Sequence, residues 1–200
     1  MAKHARVLTD AEFEALVAYV EAKRNGTRNR LVVHLTHYAG MRIGEVTGLA
    51  HKDLIGRAFE GADFYVDNVG YVVHPQIQLR KRAVKGKHAR SVIISQRMKE
   101  EIIRYFTSFQ RIDLNAALCM GYKGPMTNKT MALLLRGWMQ DLGLYGASSH
   151  SGRRRYVTTL LENGVNIRTV QQLVGHKFMT TTQRYADCLP NSMMDAVETL

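Results

Sequence analysis

The sequence is short of cysteine, of acidic side chains and of long apolar runs, and each shortage excludes something. The two cysteines, Cys119 and Cys188, lie far apart and match no metal-ligand spacing. That excludes a disulfide scaffold and predicts free thiols in a reducing compartment. No stretch reaches the roughly 18 apolar residues of a membrane-crossing helix. Met1 to Thr9 carries charge but no apolar h-region, so it does not read as a secretory signal. A soluble protein in the cytoplasm or nucleoid of a prokaryotic host is therefore expected. The carboxylates form no paired cluster suited to Mg²⁺, so no metal or other cofactor is expected. Internal repeats and low-complexity tracts are also missing.

What is present suits one large domain. The chain has 200 residues, and 46% of them are apolar, enough to bury a core without staples. Lysine and arginine number 28 against 17 acids, a formal net charge of +11. A balance this basic favours a polyanionic partner through counterion release from nucleic acid. The blander reading is a protein kept soluble by its charge.

Periodicity predicts a mainly helical chain around one small sheet. Thr9-Asp10-Ala11-Glu12 is a capping box ahead of an amphipathic stretch burying Phe13, Leu16, Val17 and Val20. A second helix is predicted from Thr27 to about Tyr38, and a short one from about Ile43 to Leu49 after the break at Ala39-Gly40-Met41. The segments Phe64-Tyr65-Val66, Tyr71-Val72-Val73, Ile77-Gln78-Leu79-Arg80 and Ser91-Val92-Ile93-Ile94 are rich in β-branched and aromatic residues. They predict a small antiparallel three-stranded β-sheet, with its last hairpin turning around Lys85-Gly86-Lys87-His88. Helical spacing returns with Met98, Ile102, Tyr105 and Phe106, then again from Thr127 to Leu142. The remainder reads as helices punctuated by Gly143, Gly146, Gly152, Gly164 and Gly175. The expected class is α+β, mainly α.

Three segments carry chemistry. In Ala39-Gly40-Met41-Arg42-Ile43-Gly44-Glu45-Val46, Arg42 stands at a helix start, where backbone N–H groups favour an anion, and Glu45 is placed to hold its guanidinium. Alone, the two are an ordinary surface pair. Val84-Lys85-Gly86-Lys87-His88-Ala89-Arg90 is a basic, glycine-tipped hairpin able to touch phosphates, or a solvated turn with edge-protecting lysines. The densest segment runs Ser148-Ser149-His150-Ser151-Gly152-Arg153-Arg154-Arg155-Tyr156, followed by Gly175-His176 and Gln183-Arg184-Tyr185. On a helix, His150 and Arg153 present two donors to one anion.

Taken jointly, these residues resemble the tyrosine recombinase family of the phage integrase type. Leu161-Glu162-Asn163-Gly164-Val165 through Leu173-Val174-Gly175-His176, ending Thr181-Thr182-Gln183-Arg184-Tyr185, is similar to its C-terminal signature. His150-x-x-Arg153 resembles its His-x-x-Arg, Gly40-Met41-Arg42-Ile43-Gly44-Glu45 its first arginine box, and Lys85 its hairpin lysine. The order Arg, Lys, His-x-x-Arg, His, Tyr agrees throughout. The sequence departs where Gly152 replaces a usual Leu, where Arg154 replaces a frequent His, and where Ile93 stands for a common Pro. Gly152 is expected to loosen the helix presenting Arg153. Most members carry an N-terminal core-binding domain. Little sequence precedes Arg42, so the resemblance is to single-domain members such as fimbrial-switch invertases, with residues 1–200 as one catalytic domain.

The resemblance implies a DNA strand transferase working through a 3′-phosphotyrosyl intermediate, in integration, excision or inversion. The implied catalytic set is Arg42, Lys85, His150, Arg153, His176 and Tyr185, with double-stranded DNA as substrate and no cofactor. It also implies a tetramer on two DNA sites, and an accessory DNA-binding protein as a further partner. The apolar stripe Met193, Met194, Val197 and Leu200 would dock on a neighbouring protomer or fold back on its own core. Two other functions fit parts of the sequence. Residues 156–185 also read as a helix-turn-helix of a non-catalytic regulator, and a type IB topoisomerase uses a similar set of groups.

Overall fold

A computed structural model describes residues 5–79 and 90–186. Helix α1 (Asp10–Glu21) begins as the capping box predicts: Thr9 Oγ accepts the Glu12 N–H at 3.2 Å, and Glu12 Oε2 accepts the Thr9 N–H at 2.9 Å. Asn25, in the left-handed region at φ 60°, turns the chain directly into α2 (Gly26–Tyr38). This helix is the central post. It buries Leu31, Val32, Val33 and Leu35, and packs against α1, α4 (Gln96–Thr107) and α6 (Ser151–Glu162). Helix α3 is a single turn, Ile43–Val46, shorter than the periodicity predicts. Helix α5 (Asn128–Asp141), capped by Thr127, adds Met131, Leu135, Trp138 and Met139 to the same core.

The strands differ from the expectation in how they group. Among the described residues the three-stranded antiparallel sheet is ordered β1-β3-β2, from β1 (Ile55–Arg57), β2 (Phe64–Val66) and β3 (Val69–Val73). Strand β1 was not anticipated. Its three residues are too few to show alternation, and Gly56 interrupts them. Strands β2 and β3 are joined by Asp67 and Asn68, both at positive φ (50° and 57°), a two-residue turn whose backbone twist matches the flanking strands. The segments 77–80 and 91–94 do not join that sheet. They form a separate pair, β4 (Gln76–Leu79) with β5 (Arg90–Ile93), in which Ile77 faces Val92 and Leu79 faces Arg90. The hairpin tip around Lys85 lies outside the described residues, as does the C-terminal Met193–Leu200 stripe. A further short pair, Met120–Gly121 (β6) with Gly124–Pro125 (β7), precedes α5.

Two apolar clusters of unequal size hold these elements. The larger joins α1 to α5 and the strands. The smaller gathers Val157 of α6 with Val170 and Val174 of α7 (Ile167–Val174), and Tyr156, Leu160 and Tyr185 pack against it. Tyr185 lies on α8 (Met179–Ala186). Helix α6 belongs to the smaller cluster and packs against α2 of the larger one, so whatever sits at its N-terminus sits at their junction.

Candidate active site

The first wall of the junction is built around a buried carboxylate. Past α2 the chain reverses at Gly40, whose φ of +59° suits glycine and whose Cα lies so close under the Tyr156 ring that a Cβ would collide with it. Arg42 follows at the N-cap of α3. Glu45, with 1% of its side chain exposed, reaches back to it: Oε2 accepts the Arg42 N–H at 2.8 Å and Oε1 accepts from Nη1 at 2.9 Å. The same carboxylate accepts from Arg90 Nη2 at 2.6 Å and Nε at 3.3 Å. Arg90 in turn donates Nη1 to the Leu173 carbonyl at 2.8 Å. Burial alone would raise the Glu45 pKa. The hydrogen bonds and charge of Arg90, and then the Arg42 N–H, outweigh it and hold the carboxyl below its ordinary value. Glu45 thus holds Arg42, as its spacing suggested. Arg90, read in the sequence as one more residue of a basic hairpin, is a largely buried strut between β5, α3 and the end of α7.

The second wall is the start of α6. The turn into it is tied by Ser148 N–H donating to Ser151 Oγ at 2.9 Å and His150 N–H donating to Ser148 Oγ at 3.2 Å. His150 is the N-cap. Gly152 sits against the backbone of α2, where a Cβ would lie 2.7 Å from Thr36 Oγ1 and 3.0 Å from the Thr36 carbonyl carbon. Its lack of a side chain therefore lets the two helices approach, which corrects the expectation of a loosened helix. Arg153, next along, is buried, and donates Nη1 to the Gly40 carbonyl and Nη2 to the Val174 carbonyl, both at 2.5 Å. These two bonds clamp the large cluster to the small one through one guanidinium. Burial, then the charges of Arg42 and Arg90, pull its pKa down to about 9, so it stays cationic at neutral pH. His150 is exposed at the cleft, and its pKa is lowered by partial desolvation and then by Arg153 and Arg42.

The third wall comes from α7 and α8. Gly175, at φ +64°, ends α7 in the left-handed conformation, and a Cβ there would lie 2.5 Å from Arg90 Cδ. His176 is pinned on both sides of its backbone, by its N–H to the Gln171 carbonyl at 3.1 Å and by Gln171 Nε2 to its own carbonyl at 3.0 Å. Its Nδ1 lies 2.9 Å from the hydroxyl of buried Thr182. Burial, followed by Arg153, Arg42 and Arg90, lowers its pKa to about 4. The ring of Tyr185 runs nearly parallel to that of His176, at 18° and 6.1 Å between centroids.

These walls enclose an open cleft of about 420 Å³ lined by Arg42, His150, Arg153, His176 and Tyr185, together with Arg154, Ser148, Thr181 and Ala5. Five of the six residues singled out in the sequence therefore line one cleft. The sixth, Lys85, lies outside the described residues. The structural roles of Arg90 and Thr182 escaped the sequence reading, since their partners are distant in sequence or separated by a turn. Three guanidiniums, of Arg42, Arg153 and Arg154, line the cleft with two imidazoles and a phenol; the set suits an anion with several oxygens, since the planar guanidinium forks onto such oxygens without losing its proton.

Comparison with known proteins agrees with this geometry. Chain residues 6–191 match the phage integrase family. Tyrosine recombinase XerA of Pyrococcus horikoshii is 28% identical over 195 residues, covering 96% of this chain and 60% of that protein. Tyrosine recombinase XerC of Lactobacillus delbrueckii is 29% identical over 165 residues, covering 79% and 50% respectively. The chain thus spans between half and about 60% of the length of these relatives. In fold it is similar to the crystal structure of XerA recombinase (TM-score 0.71, 21% identity, 100% of this chain, 65% of the other). It is also similar to the catalytic domain of bacteriophage HP1 integrase (TM-score 0.63, 19% identity, 98% and 95%). A third similar structure, the Tn1549 transposon integrase (TM-score 0.68, 19% identity, 100% and 67%), is a complex with circular intermediate DNA. Family match and fold lead to the same conclusion: the chain belongs to the phage integrase family and has the fold of a tyrosine recombinase catalytic domain.

Proposed function

We propose that this protein cleaves and rejoins DNA strands at specific sites through a 3′-phosphotyrosyl intermediate. The observation that carries the reading is the cleft that Arg42, His150, Arg153, His176 and Tyr185 line together. In the proposed reaction the Tyr185 oxygen attacks the scissile phosphorus, and the bond from phosphorus to the 5′ oxygen breaks. The departing oxygen takes up a proton from Lys85 and leaves as a 5′-hydroxyl. A 5′-hydroxyl of another strand then gives its proton back to Lys85 as it attacks the phosphotyrosine, the bond to Tyr185 breaks, and the phenol regains its proton from His150. The covalent link keeps the energy of the phosphodiester, so no ATP is consumed.

Arg42 and Arg153 are assigned to the non-bridging oxygens, where charge builds in the pentacoordinate transition state. Donors fixed in advance stabilise that charge at no cost in reorganisation, each by about 3 kcal/mol in comparable sites. The support for this is their fixing: Glu45 holds Arg42, and the Gly40 and Val174 carbonyls hold Arg153. His150 and His176 add hydrogen bonds, and His150, whose lowered pKa leaves its ring neutral near pH 7, is assigned to accept the phenol proton. The proposed partner is double-stranded DNA, bound by a tetramer spanning two sites. The net charge of +11 supports the polyanion.

The reading is tested with a duplex nicked beside the target phosphate, so that the cleaved fragment diffuses away and traps the covalent adduct. Wild type is expected to accumulate the adduct through Tyr185, and Tyr185→Phe to bind the same DNA without forming it. Tight binding with no adduct in wild type would favour the helix-turn-helix regulator. Relaxation of any supercoiled plasmid, without site preference, would favour a topoisomerase.

A further inference from the structure

We propose that Arg154 is a positioning residue that holds the Tyr185 ring for attack, an inference resting on the strand-transfer reading above. Helix α6 carries three consecutive arginines with different fates. Arg153 turns inward onto two backbone carbonyls. Arg155 turns outward and pairs with Asp10 at 2.8 Å and Glu162 at 3.8 Å. Arg154, about 100° around the helix from each, lines the cleft, with its guanidinium carbon 5.1 Å from the centroid of the Tyr185 ring. Its Nε is buried and has no hydrogen-bond partner among the described residues. The aromatic face is therefore the contact that distinguishes it from its two neighbours.

A cation over a ring face is attracted by the ring quadrupole, more strongly where water is excluded. Such a contact fixes the ring plane and leaves the phenol oxygen unengaged, which is what a nucleophile that must swing onto phosphorus needs. The need is real here. Among the described residues the apolar cluster that holds Tyr185 is the small one of Val157, Val170 and Val174. His176, tied to Thr182 one turn before the tyrosine, orders the ring from one neighbour, and Arg154 orders it from another. A misplaced nucleophile costs rate steeply, because attack requires near-contact alignment.

The test uses the whole chain and the nicked duplex, with single-turnover adduct formation at saturating DNA. Affinity, its salt dependence and the thermal midpoint are measured on the same samples. Arg154→Gln is expected to slow adduct formation about five- to thirty-fold, the rate equivalent of a partly to fully desolvated cation–π contact. Affinity and salt slope should be unchanged. Arg154→Lys, which restores a cation over the ring, should recover most of the rate, a rescue that a purely structural role would not give. Arg154→Met keeps the apolar stem and replaces Arg154→Gln if that variant fails to fold. Three results overturn the proposal: wild-type rates in the neutral variants, a loss confined to affinity with a shallower salt slope, or no recovery with Lys. The second would make Arg154 a phosphate ligand. A wild type that forms no adduct removes the strand-transfer reading and this inference with it, whereas equal rates in wild type and variants remove this inference alone.

Discussion

Replacing Glu45 by glutamine tests whether one buried carboxylate organises the arginines of the cleft. The side chain is 1% exposed and serves Arg42 and Arg90, whose own side chains are 31% and 8% exposed. Glutamine keeps the volume and one acceptor oxygen but removes the charge, leaving Arg90 buried without a counter-ion. Stripping one partner from a buried ion pair costs roughly 3–5 kcal/mol. The surviving acceptor places Glu45→Gln near the lower end, about 3 kcal/mol. For a domain of this size that lowers the thermal midpoint by about 6–12 °C. Urea denaturation at pH 7 reads it directly.

The same substitution has a signature in pH. The folded-state pKa of Glu45 is lowered, so the native protein binds that proton less readily than the unfolded chain does. Its contribution is complete above the unfolded value of about 4.3 and drains away as pH falls through the folded value. The stability gap between wild type and Glu45→Gln should therefore be widest near neutrality and close as the solution becomes acidic. Adduct formation should fall about ten-fold or more, since Arg42 loses the tether that aims it. A loss under about 1 kcal/mol, with wild-type cleavage and a gap independent of pH, would show that the carboxylate does not hold the guanidiniums.

Two further measurements probe the walls separately. Gly152→Ala should destabilise by about 1–3 kcal/mol despite alanine's better helix propensity, because the added Cβ meets the backbone of Thr36 and His37 and α6 must back away from α2. A neutral or stabilising result in urea would mean that the helices are not in contact there. The His176 ring, followed by NMR in the protein without DNA, should stay neutral down to about pH 4, because burial and the three guanidiniums disfavour its cation. Its stabilising effect is then present above the unfolded histidine value of about 6.5 and lost as pH falls toward 4. An ordinary midpoint near 6.5 would refute that environment.

The helices were legible because their signals are local. Thr9 with Glu12, the stripe Met98, Ile102, Tyr105 and Phe106, and Gly175 past the last periodic residue each lie within a turn or two of what they determine. The cleft residues were legible for another reason: their joint spacing resembles a family, although each alone has a commonplace reading. What stayed hidden depends on contacts between distant segments. Arg90 reads as one more basic hairpin residue until folding places it against Glu45 and the Leu173 carbonyl. Gly152 reads as a helix weakener until α2 is seen to occupy the space of its side chain. The division of the strands into separate sheets follows from pairing, and alternation within a strand does not report its partner.

The cleft's electrostatics show why such a site is held by backbone as much as by charge. Among the described residues Arg42, Arg90 and Arg153 share one nearby carboxylate, Glu45, and the lowered pKa values of Arg153, His150 and His176 each include repulsion from neighbouring guanidiniums. Left to side chains alone, the cations would spread apart. Neutral acceptors prevent it: the carbonyls of Gly40, Val174 and Leu173 hold Arg153 and Arg90 in place without cancelling their charge. A second or third carboxylate would have relieved the repulsion further, but it would also have neutralised the field that the proposed phosphodiester substrate would meet. In the proposed reaction that repulsion would be relieved by the anion's oxygens, and most fully where their charge is greatest, in the pentacoordinate state.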